Sequence, residues 1–252
     1  MAMTLRNNAI LENKKNIMLL TVLIPSLIGI GLLSTSIPNA EATQCGNPHC
    51  YADQRTTSIS SLSGEKRTEV VTDLTTSTTC PTNTEFIDEE GWIVFANNDW
   101  LEAGFTQGYL QGVCRTSEHN FYADSIGGFY QEFDSGAVSI GSTQTYEESD
   151  RNPGSGNIWH VYINGVDKAQ LTMASSTASF VQQGEEVSYN TSSAPKTDYS
   201  NIQKFAGAPP GWSSLGSGTN PFQDDTSFGL WINNCSPSFT HITTGMGGTA
   251  SC

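Results

Sequence analysis

Two glutamates occupy positions where a charge needs a reason. Glu102 lies in the run Trp100-Leu101-Glu102-Ala103-Gly104-Phe105, and Glu186 in Gly184-Glu185-Glu186-Val187-Ser188-Tyr189-Asn190. Both runs have the apolar alternation of a β-strand, in which successive side chains point to opposite faces. Leu101, Ala103 and Phe105 then share one face, and Trp100, Glu102 and Gly104 the other. Val187 and Tyr189 point one way, and Glu186, Ser188 and Asn190 the other. Each carboxylate therefore takes the more polar face of its strand. Two carboxyls in one cleft can divide the work of acid and base in a hydrolysis. Two carboxyls kept apart are ordinary solvated strand positions. The 84 positions between them are compatible with two strands of one sheet.

Other chemistries are poorly supported. The chain has no Gly-x-Ser-x-Gly elbow, no His-Glu-x-x-His and no phosphate-cradling Gly-x-x-x-x-Gly-Lys. His160 falls inside a strand-like run, where a structural or surface role is the default. Cys45, His49 and Cys50 could knot a metal, but no second Cys/His pair stands at a zinc spacing. Asp150-x-Asn152-x-Gly154-x-Gly156 hints at a calcium turn, yet it lacks the third acidic ligand and the distal Glu. A plain Asn/Gly turn explains it better. No metal and no cofactor are expected.

The elements that must position Glu102 and Glu186 are β-strands. From Glu85 onward, short aromatic and β-branched runs alternate with Gly, Asn, Asp and Pro turns. The runs are Trp92–Phe95, Trp100–Phe105, Gly128–Phe133, Ala137–Tyr146, Asn157–Ile163, Glu185–Asn190 and Phe228–Ile232. No apolar stripe at helical spacing extends over three turns beyond residue 43. The expected fold is all-β, an antiparallel sandwich or jelly roll of the concanavalin-like kind. Residues 43–84 are Ser/Thr-rich with little sustained periodicity, and read as a linker, a pro-segment or a wrapping arm before a domain at 85–252.

Residues 1–42 have the layout of a secretory signal. Arg6, Lys14 and Lys15 precede the apolar run Ile17–Leu33, and Ala40-Glu41-Ala42 gives a small-x-small cleavage pattern. The expected location is secreted, or anchored at the cell surface if the segment is retained. All six cysteines, Cys45, Cys50, Cys80, Cys114, Cys235 and Cys252, lie beyond the cut, and their even number in an exported chain predicts disulfides. The full chain carries 11 basic and 25 acidic side chains, a net charge of −14. The leader holds three of the basic and two of the acidic groups, so the mature chain stands at −15. Such a balance excludes a nucleic-acid surface and argues against docking by charge on anionic lipid. Most of the acids, Asp88, Glu89, Glu90, Glu147, Glu148 and Asp150 among them, cluster near turn residues and are expected to serve solubility.

The stretch from Trp92 to Asn190 resembles the glutamic peptidases, both the fungal eqolisins and the neprosin family. Gly91-Trp92-Ile93-Val94 followed by Trp100-Leu101-Glu102-Ala103-Gly104-Phe105 looks like the paired strands bearing the first catalytic residue. That residue is Gln in eqolisins and Glu in neprosins, so Glu102 is the neprosin-like form. Gly128-Phe129-Tyr130-Gln131 resembles the neprosin Gly-Phe-Val-Gln element, and Gly156-Asn157-Ile158-Trp159 resembles Gly-Asn-Trp-Trp. Ala178 to Val187 resembles the segment ending Gly-Gly-Glu-Val, which places the second catalytic role on Glu186. The Tyr-Trp-Pro element of neprosins is replaced by Asn164-Gly165-Val166-Asp167.

The resemblance implies a secreted endopeptidase acting at acid pH on peptide or protein substrates. Glu186 would activate water and Glu102 would supply the proton. Trp100 would wall the cleft, and Gln131 and Tyr130 would orient substrate. Two other classes fit the same strands: a secreted sandwich that binds glycan or an envelope component, and a structural or adhesion domain.

Overall fold

The computed structural model describes residues 49–56, 59–76, 84–189, 192–216, 219–223, 230–236 and 240–246. The leader, Cys45, Cys80, Cys252 and Asn190 lie outside them. Two antiparallel sheets make a β-sandwich. One runs β13 (Thr219–Gln223), β1 (Cys50–Thr56), β10 (Phe180–Val187), β3 (Phe86–Val94), β4 (Trp100–Leu110), β5 (Val113–Ile126) and β6 (Phe129–Ala137). The other runs β14 (Leu230–Asn234), β15 (His241–Met246), β11 (Thr197–Ala206), β2 (Gly64–Val70), β7 (Thr143–Ser149), β8 (Ile158–Ile163) and β9 (Val166–Thr172), with β12 (Gly211–Ser214) paired to β11.

The stretch read as a polar lead-in contributes two interior strands. β1 lies between β13 and β10, and β2 between β11 and β7. Their sequences, Cys50-Tyr-Ala-Asp-Gln-Arg-Thr and Gly64-Glu-Lys-Arg-Thr-Glu-Val, are too polar to announce a buried strand. They are buried because the interior of this sandwich is itself polar. Cys50 and Cys235 each take part in a disulfide, whereas Cys114 is a free thiol, contrary to the expectation that all six cysteines pair.

Apolar side chains reach the interior from both sheets but do not fill it. Along β3 the inward positions are Ile87, Glu89, Gly91 and Ile93, and along β10 they are Val187, Glu185, Gln183 and Val181, all with 5% exposure or less where they carry side chains. Ile87 and Val187 belong to one apolar cluster and Ile93 and Val181 to another. A polar belt separates the two. Its centre is Arg67 of β2, fully buried, paired with Glu65, with Glu69 at 2.5 Å and with Glu148 at 3.3 Å. The same guanidinium donates to the carbonyl of Ala103. Gly91 leaves room for this guanidinium: a Cβ there would lie 2.5 Å from Arg67 Nη1 and would displace it. Across the belt, Tyr199 and Thr244 each donate to Glu89 Oε2 at 2.7 Å.

The acids expected to serve solubility are in fact interior. Asp88, Glu89, Glu90, Glu147, Glu148 and Asp150 are all buried. They lie near turns in sequence, but β3 and β7 run through all of them except Asp150, which follows β7. Sixteen buried carboxyls face one buried basic side chain, Arg67, among the described residues. Burial without a matching cation raises Glu69, Glu89, Glu148 and Glu185 above the usual carboxylate range, which favours their protonated forms. Glu89 and Glu185 are direct cross-strand partners, and both oxygens of Glu185 lack a hydrogen-bond partner. Burial pushes Glu69 up to about 8 despite Arg67, and Glu89 up to about 7.

A carboxyl whose folded pKa is raised stabilises the fold fully below its unfolded value, about 4.3, and loses that contribution as pH rises through the folded value. Thermal stability should therefore be greatest near pH 4 and fall continuously through pH 7–8. Each titrating carboxyl removes about 1.4 kcal/mol per pH unit, or about 3 °C of Tm for a domain of this size. Differential scanning calorimetry from pH 3 to 8 measures the slope, and Glu185→Gln should make it shallower while leaving Tm at pH 4 within a few degrees.

Candidate functional site

The outward face of the seven-stranded sheet carries the cleft. Alternation turns Asp88, Glu90, Trp92 and Val94 of β3 away from the inter-sheet core, with Trp100 and Glu102 of β4 and Gln182 and Glu186 of β10 beside them. Register completes the arrangement. Trp92 lies directly between Gln182 and Glu102, and Asp88 directly between Glu186 and Thr106. Glu90 has glycine on both sides, Gly184 and Gly104. A Cβ at Gly104 would lie 2.7 Å from Glu90 Cα, and one at Gly184 would lie 2.1 Å from the Ala52 carbonyl oxygen. Gly104 thus lets β4 close on Glu90, and Gly184 lets β1 close on β10.

The result is a cleft of ≈ 680 Å³. Glu102 and Glu186, 84 positions apart, come together in it. One carboxylate oxygen from each, and one from Glu90, lie within 4.8 Å of one another. Glu102 and Glu186 are each 5% exposed, and Glu90 is fully buried beside them. Among the described residues, this trio is the set of ligand-type side chains grouped closely enough to hold a cation. Protons satisfy it equally well. Desolvation, reinforced by Glu186 and Asp88, holds the Glu102 carboxyl well above the usual range, against a hydrogen bond from Trp92. Desolvation, then Glu102 and Glu186, does the same to Glu90. Asp88 is raised by desolvation and then by Glu186.

The walls are aromatic. Tyr51 meets Trp92 edge-on with centroids 5.8 Å apart, and Trp100 tilts against Tyr130 at 5.6 Å. Glu132 accepts from the Tyr130 hydroxyl at 3.1 Å and from the Gln111 N–H at 2.6 Å. His49 closes one end. Its Nδ1 forms an ion pair with Glu186 Oε1, and its ring stands perpendicular to Phe86 at 4.7 Å.

Of the residues expected to contact substrate, Trp100 and Tyr130 line the cleft. Gln131 does not. It alternates with Tyr130 and Glu132 onto the opposite face of β6 and hydrogen bonds Asp124 there. Sequence reasoning also missed His49, Asp88, Glu90 and Glu132. The signal for two of them was present: Asp88-x-Glu90-x-Trp92 continues the period of the strand that was recognised from Trp92 onward. The other candidates stay outside the cleft. His160 pairs with Asp167 at 2.7 Å, and Asp150 Oδ1 accepts the Asn152 N–H at 3.0 Å as a turn does.

No protein-family model matches the chain. No curated protein matches it either. Solved structures do. A scytalido-glutamic peptidase with a transition-state analogue inhibitor superimposes with a TM-score of 0.55 at 11% identity, covering 81% of this chain and 98% of that one. The same peptidase with a peptide-based analogue gives 0.53, with the same identity and coverage. At such identity the likeness establishes a shared fold.

Gly184→Ala should be severe despite its small size. The added methyl cannot fit against Ala52 and Asp53 without separating β1 from β10 beside Glu186. Chemical denaturation at pH 4 should show a loss of at least about 2 kcal/mol, above the cost of an ordinary exposed substitution.

Proposed function

We propose that the cleft is the active site of a secreted glutamic endopeptidase that works under acid. The observation carrying this reading is the pair of buried carboxyls, Glu102 and Glu186, with oxygens within 4.8 Å in an open cleft. The glutamic-peptidase fold of its structural neighbours supports it. Glu at position 102, where eqolisins carry Gln, gives the neprosin-like form of the pair.

Like charges this close do not both ionise, so the pair shares a proton. Glu186, ionised, takes a proton from a water as the water oxygen attacks the peptide carbonyl. Glu102, protonated, hydrogen bonds the carbonyl oxygen and stabilises the negative charge that grows on it. The tetrahedral adduct then breaks at the C–N bond, and the proton held on Glu186 passes to the leaving amine. Trp92 donates a hydrogen bond to Glu102 and shields it from solvent. The aromatic walls bind the chain on either side of the scissile bond. They also favour a second reading, in which Trp92, Trp100 and Tyr130 stack on sugar rings and the protein binds glycan.

Mature protein incubated with denatured casein between pH 2 and 7 should cleave it under acid and lose activity toward neutrality. Glu186→Gln should reduce kcat at least about 10³-fold. Glu102→Gln keeps an N–H donor for the oxyanion and should retain more activity than Glu102→Leu, by about 10-fold or more. Equal activity in all variants would remove the site assignment. Glycan binding with no cleavage at any pH would favour the second reading.

A further inference from the structure

The dyad leaves open why Glu186 rather than Glu102 gives up its proton. Both are 5% exposed, and both face Glu90. Asp88 is the cross-strand neighbour of Glu186 and Trp92 that of Glu102, and a basic group stands beside Glu186. His49, immediately before β1, reaches over the sheet and forms an ion pair with Glu186 through Nδ1. Glu102 has no basic partner among the described residues; its neighbours are Trp92, Trp100 and Tyr130. The ring of His49 is held by packing rather than by chance. Phe86 of β3 meets it perpendicularly at 4.7 Å and Tyr51 of β1 edge-on at 6.5 Å.

We propose that His49 is the positioning residue that assigns the two roles of the dyad: its imidazolium holds Glu186 as the carboxylate, and the shared proton is thereby left on Glu102. The proposal rests on the peptidase reading and adds to it a cationic third member supplied by the strand next to Glu186. In acid, where the carboxyl-rich fold is most stable, the imidazole is charged and the pair is intact. The other titratable groups facing the pair are Tyr51 from β1, Asp88 and Glu90 from β3, Glu102 and Tyr109 from β4, Tyr130 and Glu132 from β6, and Tyr189 beyond β10. All are acids or phenols, so none opposes the charged ring, and Glu132 favours it as Glu186 does. Burial of the ring pulls its pKa down, but the contact with Glu186 outweighs this and the net shift is upward.

The same arrangement makes His49 a determinant of the pH profile. Loss of a positive charge beside the carboxyls raises the pH at which they ionise, and moves both limbs of the profile the same way. His49→Gln preserves size and hydrogen bonding while removing the charge. Its kcat/KM profile on denatured casein should shift to higher pH by about one unit, mainly through kcat. His49→Lys, which restores a cation, should move it back. A structural role would lower activity at every pH without moving the profile, and that result would overturn the proposal.

A second readout needs no activity. The imidazole of His49, followed by NMR, should titrate at least half a pH unit lower in Glu186→Gln than in the wild type. An unchanged titration would contradict the pairing. A wild type that cleaves nothing would contradict the peptidase reading, while the imidazole titration would still decide whether His49 and Glu186 are charge partners.

Discussion

One arginine stands in the interior of this protein among many carboxyls. Arg67 neutralises part of the charge of Glu65, Glu69 and Glu148, and nothing comparable serves Glu89, Glu185 or Glu90. A sandwich of this composition is more stable while those raised carboxyls are protonated, because burying an unpaired carboxylate is costly. Gly91, the hydroxyls of Tyr199 and Thr244, and the division of the apolar core into separate clusters all follow from accommodating the belt. Acid thus favours the fold by keeping these carboxyls protonated.

The cleft uses the same strands with the opposite parity. β3 sends Glu89 inward to the belt and Asp88 and Glu90 outward to the cleft; β10 sends Glu185 inward and Glu186 outward. Conditions that keep the belt protonated also keep Glu102 protonated, so stability and acid chemistry share a pH range. The sheet distinguishes the two dyad members by what lies beside them. Trp92 sits against Glu102, and His49 against Glu186. An aromatic and a cation thus give two identical side chains different surroundings.

Much of this was legible in the sequence where side chains alternate. The run from Trp100 to Phe105 gave the face of Glu102 correctly, and the glutamic-peptidase resemblance pointed to its partner across 84 positions. The all-β class followed from turn spacing. Other features were hidden for a physical reason. Hydrophobic periodicity finds a strand only when one face is apolar, and β1 and β2 turn Gln54, Glu65, Arg67 and Glu69 inward. By the same rule Asp88-Glu89-Glu90 read as a solvated cluster. Gln131 failed differently: the motif element was present, but parity on β6 gave the cleft to Tyr130 and Glu132. His49 gave no signal beyond its neighbouring cysteines, because its partner is remote in sequence and is found only through the pairing of β1 with β10.

Burial and neighbouring charge favour protonated carboxyls in both the interior and the cleft. Carbon-13 NMR of the glutamate carboxyls across pH 3–8 tests this most directly. Glu102 and Glu90 should remain protonated well past pH 4.3, where an exposed glutamate has half titrated. If both titrate there with the surface glutamates while the protein stays folded, the cleft is not a shared-proton site and the account is wrong.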